Sequence, residues 1–131
     1  MTKETLTVLM VSPGMPPCTI ELYKNHEFLS KAICIGIDIP CAMSTLPLSA
    51  SAAIIYNKDA HNYATPCNRR VGNKIIAGTF YIVGVENGSL ASLSCTDIAL
   101  YKAHFWESEE FDDDEVIDAW LNELEREITR N

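Results

Sequence analysis

Two guanidiniums, a carboxamide and a thiol stand in a row at Cys67-Asn68-Arg69-Arg70, six residues after His61. An arginine beside an asparagine can fork onto a phosphate or carboxylate, with nearby backbone N–H groups completing an anion site. Pro66 places the row on a turn, so His61, Cys67, Asn68, Arg69 and Arg70 form the candidate ligand site. Adjacent side chains on an extended segment point to opposite sides, so at most one of the two arginines faces a pocket. The plainer reading has Asn68 tying the turn while one arginine pairs with an internal acid such as Asp38, Asp59 or a carboxylate near the C-terminus.

Catalysis is hard to build from these residues. Cys67 and His61 could make a nucleophile–base pair across the turn, but no third orienting group and no oxyanion element accompanies them. No catalytic residue is therefore assigned, and the balance is against an enzyme. Gly78-Thr79-Phe80 is not a phosphate loop, because the chain has neither GxxxxGK[ST] nor GxGxxG. Cys18, Cys34, Cys41, Cys67 and Cys95 are scattered, with no CxxC, and His26, His61 and His104 lack ligand spacing. The expectation is a reduced, metal-free, cofactor-free protein.

The elements that must position the row follow from periodicity and punctuation. Thr5–Val11 is rich in β-branched and apolar residues and reads as a buried strand, broken by Ser12-Pro13-Gly14. Cys18–Tyr23 alternates as a second strand. Asn25 can cap a short helix carrying Phe28, Leu29, Ala32 and Ile33, and Ile37 to Ile39 resumes an extended run. Residues 41–51 fit a long loop or an irregular edge strand. Residues 52–56 form the next strand, and residues 75–85 read as one continuous strand. Asn87-Gly88 then signals a hairpin that returns through Leu90. Ser94-x-x-Asp97 opens a helix to Phe105. A last helix, Asp113–Thr129, carries Val116, Ile117, Trp120, Leu121, Leu124 and Ile128 as one stripe. That stripe should pack on the sheet or on a second copy, with the acids outward. The fold class is α+β: a single domain with a largely antiparallel or mixed sheet of five to six strands and two or three helices, plus the acidic C-terminal helix.

The net charge of −8 over 131 residues is unevenly placed. Residues 1–106 hold eight Lys/Arg and seven Asp/Glu, whereas residues 107–131 hold eleven acids against Arg126 and Arg130, a net of −9. A neutral body (1–106) with an acidic helical extension (107–131) makes duplex nucleic acid a poor direct partner, since phosphate binding needs a basic surface. No apolar run reaches the ~18 residues of a membrane span. The start of the chain lacks signal-peptide features, so the expected location is cytoplasmic.

The segments VLMVSPGMPPCTIEL, AIIYN, PCNRR, IAGTFYIVG and SLSCTDIALYKAHF occur in an order that resembles a small-domain family, domain of unknown function 3846. The resemblance covers about residues 8–106 and is most specific at Asn57, Pro66, Asn68-Arg69, Gly78-Thr79-Phe80 and Gly84. Residues 41–51 depart from its short strand-to-strand link, and the acidic helix lies outside it. The resemblance implies a compact α+β fold and an address among Firmicutes, their phages and conjugative elements, with no activity attached.

These readings converge on a non-enzymatic accessory binding protein of a phage or integrated element, a monomer or homodimer. One alternative is an acidic inhibitor occupying the nucleic-acid site of a host defence protein. The other is a small enzyme or nucleotide-binding domain centred on the turn from His61 to Arg70, which a small anion could occupy. For a protein partner the candidate contacts are Trp120, Asp112, Asp113, Asp114 and Glu115.

Overall fold

The computed structural model describes residues 5–23, 43–58 and 66–129. The expected short helix after Asn25 and the run at Ile37 lie outside these residues, as do His26, Cys34, Cys41 and His61.

β1 (Thr5–Val11) and β2 (Cys18–Tyr23) pair antiparallel from Thr5↔Tyr23 to Met10↔Cys18. Their link turns where Met15 N–H bonds the Ser12 carbonyl at 3.1 Å and Gly14 takes φ 73°. β3 (Met43–Pro47) pairs with β4 (Ala52–Asn57), so the ambiguous stretch 41–51 contains an edge strand. β5 (Cys67–Val71) and β6 (Lys74–Ala77) make a separate two-stranded sheet. β7 (Phe80–Glu86) pairs with both β1 and β4 and is central to the main sheet, whose order is β2-β1-β7-β4-β3. β8 (Ser89–Ala91) pairs with the end of β7. All these pairings are antiparallel.

The single strand expected over residues 75–85 is two strands in two sheets. Gly78 breaks it with φ 77°, a conformation that costs a residue with a Cβ but not glycine. Its N–H bonds the Pro66 carbonyl at 2.8 Å, and the chain passes from the small sheet into the large one. The hairpin at Asn87-Gly88 forms as expected, with φ values of 51° and 77° at the two turn residues. Gly84 is required for a different reason: a Cβ there would strike the carbonyl oxygens of Ala91 (2.8 Å) and Ser92, which cross directly over β7.

Strand alternation sorts side chains to the two faces of the sheet. Leu9, Val11, Ala52, Ile54, Phe80 and Ile82 point to one face, where α1 (Cys95–His104) and its cap contribute Tyr101 and Phe105. The Phe80 and Phe105 rings meet edge to face at 5.5 Å. Leu6, Val8, Ile55, Tyr81 and Val83 are buried on the opposite face. Ser94 caps α1 as its spacing predicts, its Oγ accepting from Asp97 N–H at 3.1 Å. Together these elements are a single α+β domain with a six-stranded antiparallel sheet.

α2 (Asp113–Thr129) starts where Asp112 Oδ1 accepts from Glu115 N–H at 2.7 Å. Its apolar stripe is divided rather than packed whole on the sheet. Val116 and Trp120 are half-buried, but Ile117, Leu121, Leu124 and Ile128 lie outward, between 49% and 64% exposed. The inward side includes Glu115 and Glu123 instead, because the β5–β6 hairpin offers them cations.

Candidate functional site

The hairpin row divides by the alternation of a strand, modified by a bulge. The β5–β6 register shifts between Cys67 and Arg69, and the residue in the irregularity is Asn68. Asn68 is fully buried, and its Nδ2 donates to the carbonyls of Val11 and Gly78, both at 2.8 Å. It therefore ties the hairpin to β1 and to the glycine where the chain changes sheets.

Arg69 is 1% exposed, and every N–H of its guanidinium is used. Nε donates to the Phe105 carbonyl (3.2 Å), and Nη2 donates to the carbonyls of Phe105 (3.0 Å) and Met15 (2.7 Å). Nη1 donates to Oδ1 (2.9 Å) and the carbonyl (3.3 Å) of Asn68. Phe105 is the C-cap of α1, where helix carbonyls lack intrahelical partners and carry partial negative charge. The buried guanidinium supplies the missing donors and a matching charge. Burial lowers its pKa from the ordinary value while Glu109 acts in the opposite direction. With its five donors on four protein acceptors, the Phe105 carbonyl accepting twice, Arg69 has none left for a phosphate or carboxylate, and the anion role expected of it gives way to a structural one.

Arg70 points the other way. Its backbone N–H bonds Glu109 Oε2 at 2.7 Å, its guanidinium pairs with Glu115, and it lies 5.7 Å from the centroid of the Phe111 ring. One strand away, Lys74 pairs with Glu123 at 2.6 Å and donates to Tyr56 Oη at 3.1 Å. Burial acts to lower the Lys74 pKa, but its hydrogen bonds to Glu123 and Tyr56 prevail and the net shift is upward. The interior pair, Asn68 and Arg69, fastens the hairpin to the domain. The exterior pair, Arg70 and Lys74, makes it a platform for α2.

Two grooves flank this platform. A 900 Å³ groove lies between the hairpin and α2, with Arg70 and Arg126 set among Glu115, Asp118 and Glu125. Three carboxylates against two guanidiniums leave it without the cationic excess that phosphate binding needs. A 510 Å³ groove includes Cys67, Phe111, Val116 and Trp120. Burial raises the Cys67 thiol above its ordinary pKa, the opposite of what activates a nucleophile. Its proposed partner His61 falls outside the described residues. Among the described residues, no three His, Cys, Asp or Glu side chains are grouped to hold a metal, and no helix is long and apolar enough to cross a membrane.

The partner-binding set also divides. Glu115 and Trp120 face the domain, Asp112 caps the helix, and Asp113 and Asp114 are exposed. Sequence reasoning missed Lys74 and Glu109 as anchors, since nothing local marks them. It also grouped Ile117, Leu121, Leu124 and Ile128 with the buried stripe. Their own spacing of four, three and four residues was the available signal.

No curated protein and no solved structure matches the chain. A family profile does match, over residues 6–106, which include the sheet, the Asn68–Arg69 anchor and α1 and stop short of α2. The chain therefore belongs to the family described as domain of unknown function DUF3846.

Proposed function

We propose that this chain is a non-enzymatic accessory protein that acts by binding another protein, with the outward side of α2 as its docking surface. The observation that carries this reading is the row Ile117, Leu121, Leu124 and Ile128, each about half exposed on a helix already held by its other side. Covering four half-exposed aliphatic side chains is worth roughly 3–6 kcal/mol in all, at ~1.5–3 kcal/mol for a full burial. Exposed apolar patches of this kind mark interaction sites. Leu100 and Trp106 are also exposed, and Trp106 borders a groove on α1, but that groove mixes Lys102 with Glu107 and lacks a periodic row.

The acidic-inhibitor reading needs carboxylates alone, and the apolar row beside them favours a partner with an apolar counterpart. The enzyme reading loses support because Asn68 and Arg69 are spent inside the fold. A cytoplasmic location and an address among mobile elements, the latter implied by the family resemblance, are part of the proposal.

The test is crosslinking of the full chain in host lysate, comparing the wild type with L121D/L124D on α2 and with L100D on α1. The expected result is a partner crosslinked to wild type and L100D and lost from L121D/L124D. A partner retained by L121D/L124D, or none crosslinked to the wild type, overturns the reading.

A further inference from the structure

The docking reading leaves the partner's chemistry open, and the geometry of α2 narrows it. Ile117, Leu121, Leu124 and Ile128 follow the 4-3-4 spacing of the a and d positions of a coiled-coil seam. The domain holds the helix by the opposite side: Glu115 on Arg70 and Glu123 on Lys74, with Ala119 half-buried between them. The seam is thereby turned to solvent on a helix that is already formed and anchored. From Ile117 to Ile128 it runs roughly 16 Å, or three turns.

Charge decides what can lie on it. At 100° per residue, Asp114, Asp118 and Glu125 fall along one flank of the seam, and all three are exposed. The other flank carries Trp120, half-buried against the domain. A second copy laid antiparallel would set Asp118 and Glu125 against their own equivalents. Laid parallel, it would set Glu125 opposite Trp120. Neither arrangement supplies an opposite charge, and flanking charges of this kind govern partner choice in paired helices.

We propose that the outward seam of α2 pairs with an amphipathic helix of a different protein, one with leucine or isoleucine at its own seam and lysine or arginine along its flank. This rests on the docking reading above and adds the partner's class. The preformed helix spares half of the ordering cost that two free helices would meet. The basic flank supplies the attraction that a second copy lacks.

The probes are two synthetic peptides of about 21 residues, three heptads. They share one Leu/Ile seam and carry either Lys or Glu at the flanking positions. Titrated into the full chain at low salt, the Lys peptide should bind at least about tenfold more tightly than the Glu peptide, and the gap should shrink at high salt. Amide shifts in NMR should cluster on α2. The double variant D118K/E125K should invert the preference, a result that misfolding cannot imitate. Equal binding of the two peptides, absence of the inversion, or a chain dimer that L121D/L124D dissolves would overturn the proposal. A Lys peptide that fails to bind, together with a lysate partner still lost from L121D/L124D, removes the helical class and keeps the docking reading. A partner retained by L121D/L124D removes both.

Discussion

Replacing Arg69 by methionine should cost far more than replacing its neighbour. The side chain is fully enclosed and holds three carbonyl groups and one carboxamide oxygen from three separate parts of the chain. Methionine fills much of the volume but donates nothing. The carbonyls of Phe105 and Asn68 and the Asn68 Oδ1 then remain buried without these partners, at about 1–3 kcal/mol each where no substitute is found. Partial relaxation and water entry at the exposed Met15 end bring the net to about 3–5 kcal/mol, the range for breaking one side of a buried charged network. Against a total stability of ~5–15 kcal/mol, that is enough to unfold a marginal domain at moderate denaturant. Arg70→Ala, by contrast, removes a partly exposed ion pair and should cost no more than ~1 kcal/mol. Urea unfolding of wild type, R69M, R69K and R70A gives the four midpoints, and R69K, with three donors for four acceptors, should fall between R69M and wild type. Equal losses in R69M and R70A, or a wild-type midpoint in R69M, would refute the assignment of Arg69 as the internal fastener.

Two further outcomes follow from the same contacts. Gly84→Ala drives a Cβ into the carbonyls of Ala91 and Ser92, and should lower stability by about 1–3 kcal/mol in thermal or urea unfolding while Gly88→Ala acts through its turn alone. The upward shift of Lys74 has a definite sign: a cation whose folded pKa exceeds its ordinary 10.5 contributes fully below pH 10.5 and loses that contribution as pH rises through the folded value. The protection factors of α2 amides, which divide out the intrinsic base-catalysed exchange rate, should therefore fall above that pH, and also in high salt at neutral pH. K74M should show the lower protection factors throughout, with little further change in them on crossing pH 10.5.

The sequence by itself determined which segments extend and which coil. The β-branched run at β1, the Asn87-Gly88 turn, the Ser94 cap and the acids opening α2 are local choices of backbone conformation, and local chemistry settles them. It also determined that Arg69 and Arg70 would face opposite ways, because a strand alternates. Only the tertiary structure decided which of them went inside. That depended on a bulge at Asn68 and on the orphan carbonyls at the end of α1, 36 residues downstream. It decided, too, that residues 75–85 would divide between two sheets, since a glycine inside an apolar run does not reveal its φ until the Pro66 carbonyl and the Asn68 side chain engage it. The helical period of α2 marked an apolar arc but not the side that would meet the domain. Arg70 and Lys74 chose that side by drawing in Glu115 and Glu123, and the remaining seam was left facing water.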